Sequence, residues 1–362
     1  MSADIGAHEA HLSRALELAE LGLYTTDPNP RVGCVIANGE HVLGEGWHVR
    51  AGEPHAEVLA LKSAGARARG ADAYVTLEPC SHTGRTPPCA DALIGAGIAR
   101  VWCCTPDPNP KVAGSGIERL RAAGIEVSVG ALAEPARALN PGFFSRFERG
   151  RPFVRLKMAM SLDARTAAAQ GGQVWISGDA ARADVQTWRA RSSAVLTGAG
   201  TVRTDDPKLN VRLNYGPWVR QPLRVVLDSE LRLSPDAQVF RDGSSLRFAA
   251  RDAKGGAGLT VERVPRAQGG LDLEAVLKRL AALEINELLL ECGATLAGGF
   301  LAQGLVDELV LYMAPRFMGE DAAPLARWRL SCAAAEFTRK FAFSDVRCIG
   351  DDVRLVLTAR EH

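Results

Sequence analysis

Apolar positions recur along the chain in two rhythms. Leu12, Ala15, Leu16, Ala19 and Leu23 are spaced three or four apart, which predicts an amphipathic helix over residues 8–22. Short apolar runs then follow. Residues 32–36 predict a buried strand, Asn38-Gly39 a hairpin turn and residues 42–46 the returning strand. Pro54 disfavours helix at Glu53, so the next helix starts near His55, with Val58, Leu59 and Leu61 as its apolar face. Strands are predicted at 73–77, 101–105 and 125–129, and helices at 90–97 and 117–123. Proline and glycine cluster at 140–144 and 150–152, which predicts a hinge between domains.

The rhythm resumes beyond it. Strands are expected at 153–158, 194–197, 223–227 and 287–291. Ser177-Gly178-Asp179 reads as the capped start of a helix running through Arg191. Leu273, Val276, Leu277, Leu280 and Leu283 mark a further helix, and the polar, glycine-rich stretch 251–270 reads as loops or an exposed edge. The last strand feeds a run of small residues, Cys292 to Phe300. Strands alternating with helices indicate an α/β fold. The expected division is a first domain at 1–146 and a second at 152–362.

Length supports that division, because one core rarely grows past roughly 250–300 residues and the chain has 362. The net charge of +1 and an aromatic content of 6% argue against a nucleic-acid binder and for small-molecule chemistry. The first twenty residues lack the apolar core of a signal peptide, and no apolar run approaches the length of a membrane span. The expected location is therefore cytoplasmic, with the eight cysteines reduced. Cys34, Cys103, Cys104 and Cys292 read as packing residues.

Candidate chemistry concentrates between residues 55 and 89. His55-Ala56-Glu57, then Pro79-Cys80, then Cys89 supply one imidazole and two thiolates. Three soft ligands leave the fourth tetrahedral position of zinc open for water, the mark of a catalytic rather than structural site. A glutamate two residues after the histidine suits a proton shuttle, as in zinc deaminases. The usual deaminase signature ends Pro-Cys-x-x-Cys, whereas here a polar, turn-rich insertion, residues 81–88, separates the two cysteines. Two other readings remain open at this point. A nucleic-acid deaminase would need a basic stripe and exposed aromatics in the second half. A non-catalytic zinc-stabilised binding protein would need a fourth protein ligand.

Pro28-Asn29-Pro30-x-Val32-Gly33, Gly44-x-Gly46-Trp47-His48, His55-Ala56-Glu57, the ten residues from Cys80 to Cys89 and Asp107-Pro108-Asn109-Pro110-Lys111-Val112 together resemble the pyrimidine deaminases of riboflavin biosynthesis. In bacteria that domain heads a bifunctional deaminase/reductase. The resemblance implies a cytidine-deaminase-like α/β/α domain, with Asn29, His48, His82, Thr83, Arg85 and Lys111 lining the pyrimidine and ribose-phosphate pocket.

Lys157-x-Ala159-x-Ser161-Leu162-Asp163, Trp175-Ile176-Ser177-Gly178, Gly198-x-x-Thr201-x-x-x-Asp205-Asp206-Pro207-x-Leu209 and Glu291-x-Gly293 are similar to the reductase half of the same family. That half is dihydrofolate-reductase-like and uses NADPH. The resemblance places Met160, Trp175, Thr201, Asp205, Ser229 and the run Gly293, Ala294, Thr295, Leu296, Ala297, Gly298 and Gly299 at NADPH. It places Lys157, Gln173, Arg189, Leu209, Arg212 and Glu291 at the substrate, a phosphoribosylaminopyrimidine. Arg189 and Arg212 suit phosphate because a guanidinium binds it in a two-pronged fashion. Ala164 stands where the family usually has glycine, and Gln173 where a small hydroxyl residue is common. The resemblance also implies one zinc per chain and a homodimer or homotetramer.

Overall fold

The computed structural model describes residues 2–81, 88–167, 175–216, 218–256, 260–267, 270–327 and 341–360, with side chains from residue 6 onward. The chain forms two compact units, Met1–Gly150 and Arg151–His362. None of the described helices is long and apolar enough to cross a membrane.

The first unit runs α1 (Ser2–Glu20), β1 (Gly33–Asn38), β2 (His41–Trp47), α2 (Ala56–Ala64), β3 (Asp72–Val75), α3 (Cys89–Ala96), β4 (Arg100–Cys103), α4 (Ser115–Ala122), β5 (Glu126–Val129), α5 (Ala133–Leu139) and α6 (Pro141–Arg149). Its sheet has the order β2-β1-β3-β4-β5. β1 is antiparallel to β2 and β3, and β3, β4 and β5 are parallel. Alternate strand residues supply opposite faces. Cys34, Ile36, Ala73, Val75 and Val101 pack with Ala60, Leu93 and Leu120 of α2, α3 and α4. Val35, Ala37 and Tyr74 pack with Leu12, Ala15 and Ala136 of α1 and α5. Both faces are apolar, so the sheet lies between two helical layers.

Two expectations shift here. β3 stops at Val75 rather than residue 77, and Leu77 is apolar because it packs on Phe143 and Phe144 of α6. The expected hinge at 140–144 is a helix start. Asn140 is buried, accepts from the Arg31 N–H at 2.8 Å and donates to the Arg31 carbonyl at 2.9 Å. Pro141 occupies the first helical position, where its missing N–H costs nothing.

The second unit runs β6 (Phe153–Ser161), β7 (Arg165–Ala167), α7 (Asp179–Arg191), β8 (Ala194–Gly198), α8 (Ala199–Asp205), β9 (Leu223–Leu227), β10 (Ser245–Ala250), β11 (Val261–Val264), β12 (Arg266–Ala267), β13 (Gly270–Leu271), α9 (Leu273–Ala282), β14 (Glu287–Glu291), α10 (Ala294–Ala302), β15 (Glu308–Ala314), β16 (Ala323–Pro324), β17 (Phe341–Ile349) and β18 (Asp352–Ala359). The main sheet has the order β11-β10-β9-β8-β14-β6-β15-β18-β17. It is parallel from β11 to β15, and β18 and β17 add an antiparallel edge. Leu288 and Leu290 join the core under α9 and α10, whereas Leu289 joins the core under α7. A strand covered on both faces reads as a continuous apolar run, which is why residues 287–291 show no alternation. α7 starts within the expected Ser177-Gly178-Asp179 and ends at the expected Arg191. Gly178 is the N-cap, and its N–H donates to Asp352 Oδ2 at 2.7 Å.

Candidate active sites

In the first unit α2 lies directly against β2. A Cβ on Gly46 would sit 2.5 Å from the Ala56 carbonyl oxygen, so only glycine lets the helix start there. That contact sets His55, the N-cap of α2, and Glu57 in its first turn. Cys80 follows the end of β3, and Cys89 is the first residue of α3. The His55 nitrogen and the two sulfurs lie within 4.8 Å of one another. His55 Nδ1 is 3.2 Å from Cys89 Sγ and 3.6 Å from Cys80 Sγ. The Cys89 N–H, at the buried start of α3, donates to Cys80 Sγ at 3.3 Å.

This set fits a soft cation. The Cys80 thiol is pushed down to about 4, first by the hydrogen bond from the Cys89 thiol, with His55 and the Cys89 N–H adding and burial opposing. Cys89 is pushed up, because it shares its proton with Cys80 in a buried place. His55 is raised by its contact with Cys80, against burial. Two sulfurs and an imidazole that compete for protons at this range match the donor set of zinc. Glu57 is 3% exposed. Burial raises its carboxyl, His55 opposes that, and the Cys80 charge adds to it. No fourth His, Cys, Asp or Glu joins the cluster among the described residues.

Beside the cluster, His48 is buried and its ring meets that of His55 edge-on, with centroids 5.2 Å apart. His48 Nδ1–H donates to the Pro54 carbonyl at 3.2 Å, so Nε2 accepts from Asn29 Nδ2 at 3.1 Å. Burial lowers His48 to about 4, with the Pro54 carbonyl opposing and His55 adding, so the ring is neutral. Asn29 is thereby oriented by His48. Lys111 is exposed on the loop before α4. His82, Thr83 and Arg85 lie outside the described residues.

One residue here went unassigned in the sequence. Glu78, 3% exposed, accepts four backbone N–H groups, from Asp107, Gly114, Gly116 and Ile117. An acid immediately before Pro79-Cys80 was the available signal.

In the second unit a charge cluster forms where β6, α7 and β14 meet. Arg189 grips Glu291 with two prongs, at 2.6 and 2.9 Å, and Lys157 Nζ is 3.8 Å from Glu291 Oε2. Burial opposes the Glu291 charge, but Arg189, Lys157 and Arg212 overcome it and hold the carboxyl at about 2. Burial lowers Lys157, with Glu291 opposing and Arg189 adding. Partial burial lowers Arg212, with Arg189 adding and Glu291 opposing, although much of the residue stays exposed. Three cations against one carboxylate leave a surplus of positive charge suited to a phosphate.

Arg189, expected as a phosphate anchor, is already held within the protein. Its third nitrogen donates to the Asn210 carbonyl at 3.0 Å, so each guanidinium nitrogen has an acceptor. Arg212 carries no such bonds on its side chain among the described residues. Leu209 is buried with φ +51°, which turns the chain into Asn210 and Arg212.

The starts of α8 and α10 face each other. Thr201 Oγ1 is 3.9 Å from the place a side chain on Gly293 would take, and Leu296 Cδ2 is 3.3 Å from that place on Gly198. Gly293 caps α10 with no side-chain partner, which leaves N–H groups of a nine-residue helix for a diphosphate. These residues fit a dinucleotide. The run 293–299 is not one loop, however, since α10 begins at Ala294. Ala297 is fully buried, and Gly298 is small because the Arg327 carbonyl oxygen would lie 1.9 Å from a Cβ there. Met160 pairs with Met313 near the end of β6, Ser229 lies just past β9, and Asp205 ends α8. Trp175 is 57% exposed under the Arg182 guanidinium, so it does not fill the core. Gln173 lies outside the described residues. Ala164 has φ +55°, a left-handed conformation that glycine adopts without cost.

Comparison with known proteins agrees with both units. Residues 6–105 match the cytidine and deoxycytidylate deaminase zinc-binding region, and residues 152–353 match the RibD C-terminal domain. Riboflavin biosynthesis protein RibD of Escherichia coli strain K12 is 46% identical, covering 96% of this chain and 98% of its own. The structure of Acinetobacter baumannii RibD superposes with a TM-score of 0.91 at 43% identity, covering 98% of this chain and 99% of that one. A Thermotoga maritima structure described as a diaminohydroxyphosphoribosylaminopyrimidine deaminase/5-amino-6-(5-phosphoribosylamino)uracil reductase gives 0.85 at 34% identity, with 98% and 99% covered. The similarity spans both units, and the chain belongs to the RibD family of bifunctional deaminase/reductases of riboflavin biosynthesis.

Proposed function

We propose that the first unit deaminates 2,5-diamino-6-(5-phosphoribosylamino)pyrimidin-4(3H)-one and that the second reduces the ribosyl group of the product to ribityl with NADPH. The observation that carries the first step is the convergence of His55, Cys80 and Cys89 within 4.8 Å, beside a buried Glu57. His55, Cys80 and Cys89 hold one zinc per chain. Bound zinc supplies an acidified water, with a pKa brought down to about 7. Glu57 accepts the proton that water gives up and delivers it to the departing amino group, so that oxygen replaces nitrogen on the ring carbon and ammonia leaves. Its raised carboxyl suits a group that must both take and return a proton. Asn29, held by His48, orients the pyrimidine. His82, Thr83, Arg85 and Lys111 complete the pocket for the ring and the ribose-phosphate.

In the second unit Met160, Trp175, Thr201, Asp205, Ser229 and the start of α10 hold NADPH, whose nicotinamide supplies the hydride. Lys157 and Arg212 take the substrate phosphate, and Leu209 and Gln173 flank the ribose. Glu291 keeps both cations in place, and Arg189 keeps Glu291 in place. The protein is cytoplasmic and acts as a homodimer or homotetramer.

A coupled assay on the purified chain tests this. Ammonia release should cease on chelation and return with zinc, and NADPH oxidation should begin only after deamination. NADPH oxidation of the undeaminated substrate at the same rate would reverse the order of the two steps.

A further inference from the structure

Glu78 is outside the His55, Cys80 and Cys89 cluster, yet its backbone and its carboxylate are both tied to residues 105–117. It stands between β3 and the Pro79-Cys80 pair, and its own N–H donates to the Thr105 carbonyl at 3.0 Å. Its carboxylate lies at the start of α4, where the first N–H groups of a helix lack partners and favour an anion. Gly116 N–H donates to Oε1 at 2.9 Å, with Ile117 at 3.3 Å, and Gly114 N–H donates to Oε2 at 2.9 Å. The fit is tight, because a Cβ on Gly116 would sit 1.9 Å from the Pro79 carbonyl oxygen.

The fourth donor begins a relay. Glu78 Oε2 accepts the Asp107 N–H at 3.1 Å, Asp107 Oδ1 accepts the Asn109 N–H at 2.8 Å, and Asn109 Oδ1 accepts the Lys111 N–H at 3.1 Å. Asp107 and Asn109 each hold the backbone N–H two residues on, the Asx-turn geometry. The anchored end is buried and the far end is exposed. The loop therefore presents Lys111 from a fixed base.

We infer that Glu78 is the positioning residue for Lys111: its carboxylate pins the 107–117 loop so that the lysine is presented to the anionic part of the deaminase substrate. This rests on the proposed contact between Lys111 and substrate. A side-chain amide at position 78 offers one acceptor where four N–H groups converge, and it turns an NH2 toward the rest. The zinc ligands and Glu57 are untouched, so the effect falls on substrate binding.

The test is a double-mutant cycle on the full-length zinc-loaded chain, with deaminase KM and kcat, zinc content and reductase activity read for each variant. Lys111→Ala and Glu78→Gln should each raise the deaminase KM about ten-fold, the scale of one charge-assisted contact. Both should leave kcat within about two-fold, and the double variant should be no worse than Lys111→Ala alone. Reductase activity, carried by the other unit, and zinc stoichiometry should hold, which separates positioning from misfolding. A Lys111→Ala KM equal to wild type overturns the lysine contact and the inference with it. A raised KM for Lys111→Ala with an unchanged KM for Glu78→Gln overturns the inference alone. So do additive effects in the double variant, or a loss of zinc and reductase activity in Glu78→Gln.

Discussion

The deaminase and reductase sites are assembled at different ranges along the chain. His55, Glu57, Cys80 and Cys89 come from three element ends within one stretch, and their chemistry is unfinished without a cation. Arg189 and Glu291 are 102 residues apart, and they pair through two hydrogen bonds before any ligand arrives. The first site waits for a metal to satisfy it. The second satisfies most of itself and leaves a surplus of charge for the substrate.

Glu57→Gln should break the comparison most sharply. Removing a positioned proton shuttle costs roughly 100- to 10,000-fold in rate. Ammonia release should fall by that factor, while NADPH oxidation of chemically supplied deaminated substrate stays at the wild-type rate. An equal loss in both assays would mean that the two units do not work as separate catalysts.

Glu291→Gln tests the other side. Its loss leaves Arg189, 8% exposed, without its partner. Breaking one member of a buried ion pair costs about 3–5 kcal/mol. Denaturant unfolding of the second unit should shift by that order, with NADPH oxidation lost and ammonia release kept. A shift below about 1 kcal/mol would show that water already solvates Arg189, and the site would be less self-contained than its geometry indicates.

That difference in range governs how much could be read before the fold was known. The convergence of His55, Cys80 and Cys89 was legible because few residue types suit a soft cation and a short spacing limits where they go. β9 and β14 fall on their expected bounds, since buried apolar runs declare themselves. The α6 start was misread as a hinge because proline and glycine punctuate both turns and helix starts, and the Asn140–Arg31 pairing spans 109 residues. The engagement of Arg189 was equally hidden, since nothing local distinguishes a paired arginine from a free one. The run 293–299 reads as a loop by composition, but it is mostly helix, and packing against the Arg327 backbone requires a glycine at position 298. Glu78 was visible as an acid, but its four donors lie beyond residue 106.

Acid titration sharpens the contrast, because the two sites hold carboxylates shifted in opposite directions. Glu291 is lowered from 4.5 to about 2, so its contribution is present above pH 4.5 and lost as pH falls toward 2. Asp107 is raised by burial from 3.8 to about 6, with Glu78 and Cys80 adding and the Asn109 N–H and Arg146 opposing. Its contribution is present below pH 3.8 and lost as pH rises through 6. The stability gap between wild type and Glu291→Gln should therefore be flat above pH 4.5 and close below it. Asp107→Asn, which keeps an acceptor for the Asn109 N–H, should gain on wild type from pH 3.8 to 6 and then level. Equilibrium unfolding at matched ionic strength reads both curves. Parallel slopes for the two variants would erase the distinction.

The smallest effect concerns backbone strain, which is also unevenly shared. Of the six described non-glycine residues with positive φ, only Leu132 lies in the first unit, while Ala164, Asp206, Leu209, Leu231 and Glu284 lie in the second. The turn at Ala164 is held from several sides. Ser161 Oγ donates to Asp163 Oδ1 at 2.5 Å, the Gly319 N–H donates to Asp163 Oδ2 at 2.8 Å, and the Leu325 N–H donates to the Ala164 carbonyl at 3.0 Å. An L-residue in the left-handed region costs roughly 1–2 kcal/mol, and contacts on this scale can hold it there. Ala164→Gly should relieve that cost but add freedom to the unfolded chain, for a net gain of about 0.5–1 kcal/mol. In a domain of this size that is a rise of about 2–4 °C in Tm at the upper end, with ammonia release unchanged. A fall in Tm would mean that the alanine methyl makes packing contacts worth more than the backbone penalty, and the strain in the second unit would then reside at Asp206, Leu209, Leu231 and Glu284.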